Sequence, residues 1–128
     1  MSKATVRVIL LTGLVVSTTW ACTAVPTTAE MKTPEKFTTF CAPCHGPAGA
    51  GNGPAAAAMD PKPRNFTDGT VMNARTDAQL INVIKNGGQA EKLSPMMIAF
   101  GNGLNDSEIK EMIAYIRSLA VPKYQPKK

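Results

Sequence analysis

The five residues Cys41-Ala42-Pro43-Cys44-His45 constrain this chain more than any other stretch. They gather two of its three cysteines and its single histidine, and a glycine-rich run, GPAGAGNG, follows from Gly46 to Gly53. Cysteines three apart share one face of a helical turn, with the imidazole directly after them. Upstream, Phe37 and Phe40 continue the same spacing of three and four with Cys41 and Cys44. The start of this helix reads from Thr33 as N-cap, with Pro34 at the first position and Glu35 in the first turn. One face thus carries two rings and two thiols, and the fold must give that face something to meet.

Two further segments have helical grammar. In TDAQLINVIKNGG, Thr76 and Gln79 form a capping box, Leu80, Val83 and Ile84 share a face, and Gly87 and Gly88 end the helix. In NDSEIKEMIAYIRSLAVP, Asn105 caps, Glu108 lies three residues on, and Pro122 closes. Its apolar positions Ile109, Met112, Ile113, Ile116 and Leu119 keep the helical period. Nothing alternates as a strand would. The segments 46–75 and 89–104 read as irregular, apart from a helical turn near Ala55–Ala58. Loops of that length inside a compact domain need a function. With four Phe, two Tyr and one Trp, the chain has few large rings to fill a core, so loops wrapped around a buried group fit the pattern.

Cys-x-x-Cys-His supplies such a group. Each thiol can add to one vinyl group of a haem, and the adjacent His45 can bind the iron. A structural zinc site normally takes four protein ligands, which this chain scarcely offers, and a thioredoxin-like redox pair needs a βαβ setting that is absent. With no second histidine, the other axial position falls to lysine, to methionine, or stays open. Met96 and Met97 stand together in SPMMIAFGNGL, while Met59, Met72 and Met112 are weaker candidates. A thioether is a soft donor that favours ferrous iron and raises the reduction potential. The ordinary role of methionine is core filler, and at least one of the pair must have it.

From Pro34 to Leu119 the sequence resembles the class I c-type cytochromes. That resemblance implies an all-α fold of three main helices, with long loops wrapped around one covalently bound haem c. CAPCH matches the family's attachment motif, with Cys41 and Cys44 as thioether anchors and His45 as proximal ligand. MIAFG resembles the family's ligand segment and favours Met97 over Met96, although Ile98 stands where proline is common. EIKEMIAYIRSL is similar to the family's last helix, which implies that Tyr115 packs across the first helix near Phe37. DPKPRNFTDG resembles a stretch whose Pro63 lines the haem edge and whose Arg64 can pair with a haem propionate. Asn65 and Thr67 are further candidate donors there, whereas Pro47 and Pro61 read as loop stiffeners.

The expected activity is electron transfer, without a catalytic acid or base. The carboxylates are dispersed, and the lone histidine is already committed. A free carrier is the leading reading. The alternatives are a haem subunit of a larger oxidoreductase and a sensor whose sixth site opens to a gas.

Residues 1–21 have the plan of a secretory leader: Lys3 and Arg7, an apolar run from Val8 to Val16, then small and polar residues. That run is short of the roughly 20 residues a membrane span requires. Cys22 either carries a lipid anchor or leaves with the leader after cleavage at Ala24 or Ala29. Residues 22–33 form a tether able to stretch to roughly 40 Å. The cytochrome domain is expected at 34–121 and a tail at 122–128. Such a chain is exported or periplasmic, and membrane-bound only through Cys22. Losing the leader removes two cations and no acid, taking the net charge from +5 to +3. Its scattered lysines argue against nucleic acid. They suit a monomer docking on acidic faces of redox donors and acceptors.

Overall fold

The computed structural model describes residues 31–125. The expected leader, Cys22 and the expected tether up to Glu30 lie outside them, as do the last three residues of the tail. Four helical regions form the frame. A π-helical turn, Phe37–Cys41, runs into α1, Ala42–His45; then come α2, Gly69–Met72, α3, Asp77–Asn86, and α4, Asp106–Leu119. Short 3₁₀ turns occupy Pro54–Ala58 and Gly88–Glu91. Among the described residues there is no strand, only one parallel bridge between Asp68 and Val121. No described helix is long and apolar enough to cross a membrane.

The first helix differs from expectation at both ends. Thr33 does not cap it: its hydroxyl pairs with the Tyr115 hydroxyl at 2.9 Å, while the Pro34 carbonyl accepts the N–H groups of Phe37 and Thr38. The regular α spacing through Phe37–Cys41 is replaced by a wider turn in which the Ala42 N–H reaches back to the Phe37 carbonyl. Pro43 gives a physical reason. It has no N–H to donate, and its ring crowds the carbonyl four residues back, so the turn preceding it opens. Phe37 is fully enclosed as a result, whereas Phe40, Cys41 and Cys44 stay half-buried.

The other two long helices start as expected. Thr76 and Gln79 make the reciprocal capping box of α3, which ends at Gly87 with φ of 84°. Asn105 and Glu108 do the same for α4. α2 appears inside a segment read as irregular. Its cap is the Asp68 carboxylate, which accepts the N–H groups of Thr70 and Val71, a local signal too short to show any periodicity.

The core sits where α4 crosses the first helix. Phe37 meets Tyr115 edge-on with centroids 4.7 Å apart, as the family resemblance implied, and Phe66 at 6.3 Å. Ile109, Met112, Ile113 and Ile116 are buried on the inner face of α4. One cation is buried with them. Arg117 donates to the carbonyls of Met72 (2.7 Å) and Arg75 (2.6 Å) and to the Asp77 carboxylate, and the Tyr124 ring covers its guanidinium at 3.7 Å. A single side chain thereby fastens the α2–α3 corner to α4 and holds Tyr124 over the joint.

Candidate functional site

One cavity of about 510 Å³ opens between α1, the loop after it, α3 and the segment before α4. That volume falls in the range of cofactor sites. Its apolar walls come from Phe66, Met72, Leu80, Val83 and Leu93, and both prolines of the Pro61–Pro63 stretch line it. Pro61, read from sequence as a loop stiffener only, therefore belongs to the wall beside Pro63. Every charged side chain in the lining is a cation: Lys62, Arg64, Arg75 and Lys92.

The cavity brings together Cys44, His45, Arg64, Met96 and Met97. Cys41 does not line it. It packs against the hydrophobic core on the same helix, and both cysteines are free thiols. Burial, with the neighbouring Cys44 adding to it, pushes the Cys41 thiol up to about 11. Met72 is buried in the lining, Met59 is half-buried there, and Met112 is fully enclosed in the core, away from the cavity.

His45 is held from two sides. Its Nδ1–H donates to the Arg64 carbonyl at 2.9 Å, and its ring stacks on Phe66 with centroids 4.2 Å apart and planes 18° from parallel. Only 8% of its surface is exposed. Burial lowers its pKa from the ordinary imidazole value, opposed by the bond to the carbonyl. Burial favours the neutral ring, and the carbonyl acceptor fixes its remaining proton on Nδ1, which leaves the Nε2 lone pair available to a metal. The glycine-rich loop makes this possible by lying directly against the helix end. The Gly53 N–H donates to the Cys44 carbonyl at 3.1 Å, and a side chain at Gly53 would collide with the carbonyls of Ala42 and Pro43. The Gly51 N–H reaches the His45 carbonyl at 2.7 Å.

Arg64 therefore acts on His45 through its backbone, a contact the sequence reading did not foresee, while its side chain is exposed at the cavity rim. Thr67 is not a free donor. The Asn65 side-chain oxygen accepts both the N–H and the hydroxyl of Thr67, at 2.9 and 2.7 Å. Two residues escaped the sequence reading altogether. Phe66 carried no periodic signal, but Arg117 did: it falls four residues after Ile113 and eight after Ile109, on the apolar row of α4.

Among the described residues, no cluster of three or more His, Cys, Asp or Glu side chains could hold a metal ion, so these residues build no zinc site of that kind. The donor set instead combines the Cys44 thiol, one neutral imidazole and neighbouring thioethers around an apolar cavity, with the Cys41 thiol on the same helix beside it. The family model for cytochrome c matches residues 32–120. The chain belongs to the cytochrome c family. Cytochromes of this family bind covalently attached haem c, one in a small domain such as this, transfer electrons through it, and act in redox chains with protein partners. No curated protein and no solved structure matches this cytochrome. The residues present fit the cofactor: the thiols adjoin the imidazole, the free Nε2 belongs to a cavity-lining ring, and apolar walls surround them.

Proposed function

We propose that this cytochrome is an exported, single-haem electron carrier whose iron is bound by His45 and Met97. In this reading Cys41 and Cys44 form the two thioether links, and Arg64 lies at the rim for a propionate. When bound, haem c supplies a one-electron couple at its iron. The observation that carries the reading is His45 itself, buried in the cavity wall with Nδ1 tied to the Arg64 carbonyl and Nε2 left free.

The chain's own residues then have distinct tasks. Phe66 and the Arg64 carbonyl fix the imidazole plane, so little rearrangement accompanies a change of charge. Met72, Leu80 and Val83 keep water from the interior face. Met97 is preferred to Met96 as second ligand because its main chain is tied at both ends. Its N–H donates to the Ser94 carbonyl and its carbonyl accepts the Gly88 N–H, whereas Met96 is 50% exposed. The cationic rim of Lys62, Arg64, Arg75 and Lys92 favours donors and acceptors with acidic docking faces. At the N-terminus, a lipid on Cys22 would confine the carrier to a membrane surface.

Absorption spectroscopy of the haem-loaded protein tests the ligand assignment. Met97→Ala should abolish the ferric thioether-to-iron charge-transfer band and Met96→Ala should keep it. Retention of the band in Met97→Ala would overturn the assignment. Mass spectrometry of the mature N-terminus decides the state of Cys22.

A further inference from the structure

We propose that Gly88 is a positioning residue for Met97: by carrying no side chain, it seats the methionine segment against the end of α3 and so holds that thioether at the cavity. The inference rests on Met97 as the second iron ligand.

Both main-chain polar groups of Gly88 close the segment that follows it. Its N–H donates to the Met97 carbonyl at 2.8 Å, and its carbonyl accepts the Leu93 N–H at 2.9 Å. Met97 in turn donates its N–H to the Ser94 carbonyl at 3.2 Å. Ser94 and Met97 thus reach Gly88 from the same side. A Cβ added at Gly88 would collide with the Ser94 carbonyl oxygen and stand 3.2 Å from the Met97 Cβ. The obstructed oxygen is the one that accepts the Met97 N–H, so relieving the clash moves the ligand residue itself.

Backbone conformation does not explain the glycine. The left-handed glycines are Gly46, Gly49, Gly51 and Gly87, and Gly88 is not among them. The position requires space. Gly88 is buried but does not line the cavity, so its influence on the site passes through the lining residues it touches, Met97, Ser94 and Leu93.

The test compares Gly88→Ala with Gly103→Ala in haem-loaded protein, both shown to be folded by far-UV circular dichroism. Gly103 is the control because a Cβ there meets nothing nearer than the Phe100 carbonyl at 3.8 Å. Gly88→Ala should weaken the thioether-to-iron band and raise the ferric affinity for added imidazole by about tenfold, an effect of the size of a lost positioning contact. Gly103→Ala should match the parent in both. A Gly88→Ala protein with unchanged band and unchanged imidazole affinity overturns the proposal.

Should Gly88→Ala give no folded, pigmented protein, amide exchange supplies the reading without it. Coupling is reciprocal, so the Gly88 N–H should exchange about tenfold faster in Met97→Ala than in the parent. The Gly101 N–H, bonded to the Lys85 carbonyl at 3.1 Å, should be unchanged. Equal Gly88 exchange in the two proteins overturns the proposal. The two layers separate cleanly: a band that survives Met97→Ala removes the ligand assignment, whereas a band lost in Met97→Ala but intact in Gly88→Ala removes only the role of Gly88.

Discussion

Phe66 shows how much of this site depends on side chains with no redox chemistry of their own. It lies face to face with His45, edge-on to Phe37, and its N–H donates to the Gly49 carbonyl at 2.7 Å, so it joins the glycine loop to the core beneath the imidazole. Phe66→Ala should cost about 3–5 kcal/mol through the cavity it leaves. Phe66→Leu keeps most of the volume and should cost less than about 1.5 kcal/mol. Denaturant midpoints of the ferric protein check both values. Only loss of the flat stacked face should also disturb the orientation of the imidazole, seen as shifted haem-methyl resonances in the leucine variant.

Among the elements, α3 and α4 are each secured by contacts that can be removed singly. Thr76→Ala deletes half of the α3 capping box and should cost about 1 kcal/mol in thermal or urea unfolding. Its effect reaches the site because Gln79, the other half, lines the cavity. Arg117→Met should cost more, about 2–3 kcal/mol, since it strands the buried carbonyls at Met72 and Arg75. Lys85 at the end of α3 meets Asp106 at the start of α4 at 2.7 Å, and this hydrogen bond and charge hold the Asp106 carboxyl below its ordinary value of 3.8. A depressed carboxylate stabilises the fold above its unfolded value and loses that contribution as pH falls through the folded one. Lys85→Gln should therefore narrow the stability difference between pH 6 and pH 3 in denaturant titrations.

Local sequence signals recovered the elements whose information is local. The capping boxes at Thr76 and Asn105, the glycine stop at Gly87 and the inner row of α4 were all legible, because each depends on neighbours within a few positions. Thr33 was misread because a cap and a distant partner compete for one hydroxyl, and Tyr115 lies 82 positions away. The π turn was hidden for a similar reason: spacing assumes a regular helix, and Pro43 breaks that assumption from within the motif. At the site, CAPCH pointed to its own chemistry. The Arg64 carbonyl could not be read, since a backbone acceptor carries no residue signature.

At the scale of the whole molecule, the cavity is lined by four cations, Lys62, Arg64, Arg75 and Lys92, and by no acid. Exchange of electrons with an acidic partner should slow as ionic strength rises from 10 to 150 mM, because the screening length falls from about 30 to about 8 Å. Charge reversal at Lys92 should flatten that dependence, and stopped-flow rates with an acidic and a neutral partner measure it.

The joint between the first and last helices also sets an order of events during biogenesis. Tyr115 reaches back to Thr33 and Phe37, and the Val121 N–H donates to the Thr67 carbonyl at 3.0 Å. A growing polypeptide therefore exposes its CAPCH segment long before the residues that will bury it exist. Once they arrive, Cys41 is half-buried and its thiol is pushed up to about 11, so its reactive thiolate is scarcer than in the open chain. On the proposed role of Cys41 as a thioether anchor, haem attachment should therefore go faster in the open chain than in the closed fold.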